Sequence, residues 1–123
     1  MANKILIVDD EPDLVNMVKM RLEANNYEVI FSHDGQEGLE KARNEGPDLI
    51  ILDLMLPKMD GYKVCRMLKF DAKFKAIPVI IYSARGEEED KKLGEQVGAS
   101  AYLTKPFEPE ILLSKIKELL PQA

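Results

Sequence analysis

The chain has 123 residues, a formal net charge of −5 and one cysteine, Cys65. That is the size of one ordinary domain, able to bury roughly two-thirds of the surface its unfolded chain exposes without a disulfide or metal staple. A lone cysteine excludes an intramolecular disulfide and a four-cysteine metal site, and the acidic balance argues against a non-specific nucleic-acid surface, which needs a basic stripe.

Apolar runs at 4–9, 27–32, 48–53, 77–82 and 100–104 alternate with amphipathic stretches of helical length. This alternation predicts βαβ units around a parallel sheet. The start, Met1-Ala2-Asn3-Lys4, leads into the first strand rather than into a signal-peptide core, and no run is long enough to span a bilayer. The expected setting is therefore soluble and cytoplasmic, away from membranes. Asp9 and Asp10 close the first run, and a helix follows Asp10-Glu11-Pro12, with an acid suited to the N-cap and Leu14, Val15, Val18 and Leu22 facing inward. Asn25-Asn26 ends it. Asp34-Gly35 opens a second helix with Leu39 and Ala42 inward, closed by Asn44-Glu45-Gly46-Pro47. Asp53 closes the third run, and a helix near 62–70 carries Val64, Cys65 and Leu68. Ser83 follows the fourth run; its helix starts around Gly86-Glu87-Glu88-Glu89-Asp90, a solvated acidic turn favoured by the helix dipole, and ends at Gly98. Lys105-Pro106 follows the fifth run, and a last helix after Glu108-Pro109 uses Ile111, Leu112, Ile116, Leu119 and Leu120. No linker, repeat or shift of composition divides the chain, so one domain over 1–123 is expected.

Continuous Ile/Val/Leu runs read as buried parallel strands, which puts each polar residue above at a strand's carboxyl end. In an open α/β sheet ligands bind at that edge. Three carboxylates, a hydroxyl and an ammonium would collect there, as needed to hold a divalent cation and a phosphoryl group. The connection from Leu54 to Gly61 is long for a βα loop, and long loops over a strand end are often functional.

The residues Ile7-Val8-Asp9-Asp10-Glu11, Pro47-Asp48-Leu49-Ile50-Ile51-Leu52-Asp53, Leu56-Pro57 with Asp60-Gly61, Ser83-Ala84, and Gly98-Ala99 leading to Tyr102-Leu103-Thr104-Lys105-Pro106-Phe107 resemble the receiver domain of two-component response regulators, chemotaxis regulators included. The resemblance covers essentially the whole chain. Singly each element is weak; their order and spacing are specific. It implies an α/β, flavodoxin-like (βα)5 three-layer sandwich with parallel strand order 2-1-3-4-5, for which the family's chemotaxis member is a standing example. Strands 1 and 3 are then neighbours about 4.8 Å apart, so Asp9, Asp10 and Asp53 crowd together, and like charges that close call for a cation. Mg²⁺ suits an all-oxygen set that leaves room for water and phosphate. By similarity Asp10, Asp53 and the backbone carbonyl of Met55 are its direct ligands, with Asp9 acting largely through water. The resemblance also implies that Asp53 accepts the phosphoryl group from a histidine kinase or phosphotransfer protein. Lys105, the Ser83 hydroxyl and the Ala84 N–H would contact its oxygens, and water would return the domain to its resting state. Apart from that self-modification no enzyme activity is expected. Tyr102 is either an aromatic switch or a half-buried edge-strand tyrosine. Output is expected through the surface of helix 4, strand 5 and helix 5, toward a partner protein or an attached output domain and without direct nucleic-acid contact. The family also implies a cis Lys105-Pro106 bond.

Blander readings compete at single positions. Asp10 can cap a helix as well as bind a metal, Ser83 can cap the next helix, His33 reads as a loop residue and Cys65 as packing. A haloacid-dehalogenase-type phosphatase needs a second Asp two residues after its nucleophile, where this chain has Met55. A flavodoxin needs a phosphate loop after strand 1, where Asp9-Asp10-Glu11-Pro12 would repel phosphate. Winged-helix transcription factors pair their receivers through acids on strand 5 and arginines on helices 4 and 5. This chain has Ser100 and Ala101 on that strand and lysines on helix 5, so a monomer is expected before phosphorylation.

Overall fold

The computed structural model describes residues 2–120. In chain order the elements are β1 (Lys4–Val8), α1 (Pro12–Glu23), β2 (Glu28–Ser32), α2 (Gly35–Asn44), β3 (Leu49–Asp53), α3 (Gly61–Lys69), β4 (Val79–Ser83), α4 (Glu88–Gln96), β5 (Ala101–Thr104) and α5 (Pro109–Leu119). All strand pairs are parallel and the order is β2-β1-β3-β4-β5, as the resemblance implied. Each strand lies within two residues of an apolar run read from the sequence.

Alternation along the strands builds two cores. Ile5, Ile7, Leu49, Ile51, Ile80, Tyr82 and Leu103 face α1 and α5, where Val15, Val18, Leu22, Leu112 and Ile116 meet them. Leu6, Val8, Ile50, Leu52, Val79 and Ile81 face the other way, against Leu39 and Ala42 of α2 and Val64, Cys65 and Leu68 of α3. Burying one such side chain is worth roughly 1.5–3 kcal/mol, so two filled layers fix which residues can point at the sheet's upper edge.

Helix starts depart from expectation in one place. Asp34 and Asp60 cap α2 and α3, their side chains accepting from the Glu37 and Lys63 N–H groups at 2.7 and 3.1 Å. Asp10 caps nothing: the N-cap of α1 is Glu11, with no side-chain cap bond. The Asp9 carboxylate takes the Glu11 N–H instead, at 2.9 Å, which leaves Asp10 exposed at the strand end. Asn26, at φ 71°, reverses the chain after α1 in the left-handed conformation that Asn tolerates. On α5, Ile111 lies outside the buried stripe at 46% exposure, because Leu112 and Ile116, one turn apart, set the inward face. Among the described residues no helix is long and apolar enough to cross a membrane.

Candidate functional site

The rows of side chains that fill the α1/α5 core run on past the carboxyl edge of the sheet and change character there. Ile5 and Ile7 are followed by Asp9, Leu49 and Ile51 by Asp53, Ile80 by Tyr82, and Leu103 by Lys105. Strand alternation therefore aims these four polar groups to one side, and the register, with Asp53 beside Tyr82, brings them together.

Lys105 is the centre. Its Nζ lies 3.2 Å from an oxygen of each of three carboxylates, Asp9, Asp53 and Glu11, which uses all three of its N–H donors. Asp9 is fully buried, Asp53 nearly so, and Glu11 exposed. The Tyr82 hydroxyl donates to Asp9 Oδ2 at 2.7 Å, and Lys105 Nζ sits 4.6 Å from the centre of the Tyr82 ring. The Met55 N–H donates to Asp53 Oδ1 at 3.3 Å while its side chain points to solvent. The Lys105–Pro106 bond is cis, as expected.

Electrostatics follow from burial and neighbours. Burial pushes the Asp53 carboxyl above the ordinary range and Asp9 adds to the push, against the opposing pull of Lys105 and the Met55 N–H. For Lys105 burial works against the ammonium, but Asp9 and Asp53 outweigh it and its pKa is raised. Three carboxylates share one ammonium, and oxygens of Asp9, Asp10 and Asp53 lie within 4.8 Å of one another. An all-oxygen, charge-deficient cluster is the donor set that hard divalent cations such as Mg²⁺ prefer, so these residues fit the expected ion.

The loop 54–60 returns to this site because Gly61 touches the end of β3. A Cβ there would lie 2.2 Å from the Asp53 carbonyl oxygen, so only glycine permits the approach. The Gly61 N–H donates to the Leu54 carbonyl at 3.0 Å, and Lys58 turns the loop at φ 68°.

Ser83 falls on the opposite parity, in line with Val79 and Ile81, and is fully buried. Its Oγ accepts from the Arg85 N–H at 3.2 Å. It does not cap α4, which starts at Glu88 with Glu87 as N-cap. Tyr102 is half-buried on β5, and its hydroxyl donates to the Arg85 carbonyl. Its ring passes over Gly94, where a Cβ would stand 3.0 Å away, and burial, with Tyr62 and Asp90 nearby, raises its pKa. Cys65 is packing: it is buried, with its thiol pushed up to about 11.

Three contacts escaped the reading of the sequence. Tyr82 reads as the end of an apolar run, although a tyrosine in a buried aliphatic strand needs a partner for its hydroxyl, and that need is the available signal. Glu11 was seen as part of a helix start and not as a ligand of Lys105. His33 is an exposed loop residue, as expected, but its Nδ1 lies 3.0 Å from the Asp9 carbonyl oxygen, a contact between β1 and β2 ends that no local pattern announces.

A parallel sheet of this order, with acids and a lysine gathered where the winding reverses, defines the class of open α/β proteins whose ligand site lies at the switch point. Comparison with known proteins narrows the class. The family model of the response regulator receiver domain matches residues 5–117, and the chain belongs to that family. It is 45% identical over 120 residues to the alkaline phosphatase synthesis transcriptional regulatory protein PhoP of Bacillus subtilis, covering 98% of this chain and 49% of that one. It is 44% identical over 117 residues to the DNA-binding dual master transcriptional regulator RpaA of Synechocystis, covering 95% and 48%. The chain thus spans about half the length of the curated relatives it matches. Among solved structures, a response regulator from Chloroflexus aurantiacus superposes with a TM-score of 0.93 at 34% identity, covering 99% of this chain and all of that one. The chemotaxis response regulator CheY4 of Vibrio cholerae gives 0.91 at 34% identity, covering 98% of this chain and all of that one. The chain is a receiver domain of a two-component response regulator, a signalling protein.

Proposed function

We propose that the chain is a single receiver domain over 1–123 in which Asp53 takes a phosphoryl group from the phosphohistidine of a sensor kinase or phosphotransfer protein. The observation that carries this reading is the Lys105 ammonium, 3.2 Å from both Asp53 and Asp9 at the switch point of the sheet. An Asp53 carboxylate oxygen attacks phosphorus in line; the O–P bond forms as the P–N bond to the donor imidazole breaks, and the electron pair leaves with that nitrogen. Lys105 gives up its bond to Asp53 and loosens that to Asp9 in favour of phosphoryl oxygens, which keeps an ammonium on the developing charge. Asp10, Asp53 and the Met55 carbonyl would hold Mg²⁺, with Asp9 acting through water, and when bound the ion supplies further neutralisation of the phosphoryl oxygens. Water attack on phosphorus later releases phosphate and restores Asp53. No other turnover is proposed.

The conformational readout uses Ser83 and Tyr102. A phosphoryl group biases a two-state element only by bonding better to one state. Ser83 Oγ and the Ala84 N–H would gain a phosphoryl oxygen when the β4–α4 loop draws inward, and the Arg85 carbonyl that holds the Tyr102 hydroxyl belongs to that loop. Its movement would release Tyr102 and alter the α4–β5–α5 surface, which controls a partner or an attached output domain in the cytoplasm without itself touching nucleic acid.

Acetyl phosphate with Mg²⁺ is expected to add one phosphoryl group to wild-type protein, seen by intact mass and mapped to Asp53. Asp53→Asn is expected to take up none. Full labelling of Asp53→Asn, or a label mapped elsewhere, removes the mechanism.

A further inference from the structure

Tyr82 has no part in the mechanism above, yet its hydroxyl is the shortest side-chain bond to Asp9. The phenol is fully buried, tilted against Phe107 at 5.6 Å between ring centres, and stands beside Asp53 in the β3–β4 register. Asp9 consequently has three donors. Its Oδ1 takes the Glu11 N–H, and its Oδ2 is shared between the Tyr82 hydroxyl and the Lys105 ammonium. The face of the same ring lies under that ammonium.

We propose that Tyr82 is a positioning residue of the phosphoryl-transfer site: its hydroxyl fixes and partly satisfies Asp9, so that Lys105 can be released to the phosphoryl oxygens. The inference rests on the reading of Asp53 as phosphoacceptor. The Tyr82 hydroxyl and the Lys105 ammonium compete for one oxygen, Asp9 Oδ2. A carboxylate bonded by a neutral donor attracts a neighbouring cation less than one without it, and the O–H cannot follow Lys105 away. The aromatic face then holds the ammonium loosely from below as it shifts. Take the hydroxyl away and Asp9 Oδ2 has Lys105 as its side-chain donor, which binds the ammonium more tightly to Asp9 and delays its transfer.

The same logic sets an opposite sign for the metal. With one donor fewer, Asp9 is the more attractive neighbour for a divalent cation. Tyr82→Phe keeps the ring, its packing and the cation–π floor, and removes the hydroxyl alone. On the full chain, calorimetric titration with Mg²⁺ is expected to show binding roughly threefold tighter or better. Labelling by acetyl phosphate at saturating Mg²⁺ is expected to slow by on the order of tenfold, the weight of one hydrogen bond to a charged group. A purely structural defect would weaken Mg²⁺ binding and slow labelling together, and that pattern overturns the proposal, as does a wild-type rate in Tyr82→Phe. A second measurement guards against a global effect. If the hydroxyl acts through Asp9, then in an Asp9→Asn background Tyr82→Phe should change the labelling rate less than twofold, and a further tenfold loss there overturns the assignment. A wild-type chain that is not labelled at Asp53 sinks both the site reading and this inference; labelled wild type with an unslowed Tyr82→Phe sinks this inference alone.

Discussion

Asp53 ionises where burial and the charge of Asp9 both oppose it, and Lys105 offsets the cost only in part, so its folded-state pKa stands above the unfolded one. The sign for stability follows. The ionised carboxylate is unfavourable to folding above the raised folded pKa, and that penalty fades to nothing as pH falls below the unfolded value of about 3.9. Asp53→Asn is therefore expected to melt higher than wild type near neutral pH, with the gap closing on acidification. Thermal unfolding of the two proteins across that range checks it; equal melting temperatures at neutral pH would contradict the assigned strain. Lys105 behaves in the other sense. Its pKa is raised by Asp9 and Asp53 against the effect of burial, so its stabilisation is complete below the unfolded value of about 10.4 and is lost as pH rises through the folded one. The proposed phosphoacceptor and the ammonium thus hold opposed costs at one site, a common mark of functional groups.

At the scale of elements, the β3–α3 segment carries the site's tolerance. Asp60 caps α3, and Gly61 lets the helix begin against the Asp53 carbonyl. Gly61→Ala would force a Cβ to within 2.2 Å of that oxygen unless α3 or the end of β3 moves. We expect a loss of about 2–3 kcal/mol in urea unfolding, together with slower labelling because the displaced strand end carries the proposed nucleophile. A variant as stable as wild type would mean that the loop adjusts freely. On the far side of the sheet, Tyr62 of α3 donates to the Asp90 carbonyl of α4 at 3.0 Å, while Tyr102 of β5 donates to Arg85 just before α4. Two tyrosines thus hold the approach to α4 through backbone carbonyls, and the capping fit of Asp34 and Asp60 has no counterpart at Glu87. α4 shares that uncapped start with α1 and α5, so its hold on the domain at this end comes from the two tyrosines.

For the whole molecule, the surface of α4, β5 and α5 is the proposed output face. Ser100 and Ala101 lead into Tyr102, and on α5 Lys115 pairs with Glu118 of its own helix while Glu110 meets Arg21 of α1. Exposed pairs of this kind add about 0–1 kcal/mol each and supply no set of guanidinium forks for a second copy. Sedimentation is expected to give a monomer for the unphosphorylated chain and at most a weak dimer after beryllofluoride. A tight two-fold dimer through α4, β5 and α5 would show that the missing arginines matter little. Mg²⁺ acts at the same scale: if it binds the folded acid cluster alone, it raises stability by about 2.7 kcal/mol at a hundredfold excess over its dissociation constant.

The linear pattern by itself determined the five strands, the position of Asp9, Asp10, Asp53, Ser83 and Lys105 at their ends, and, by resemblance, the strand order. These are legible because buried parallel strands demand unbroken aliphatic runs, and because acids at the ends of such runs stand out against them. Tertiary structure alone decided which donors those groups meet. Asp10 is an acid before a helix and reads as a cap, but the cap position falls one residue later, at Glu11, whose own N–H donates to the Asp9 side chain. Glu11 follows the first strand and Tyr82 lies in the fourth, and what brings both to Lys105 and Asp9 is the lateral register of β1, β3, β4 and β5. Register is a property of strand pairs and of the layers packed on them, so no single stretch of sequence contains it.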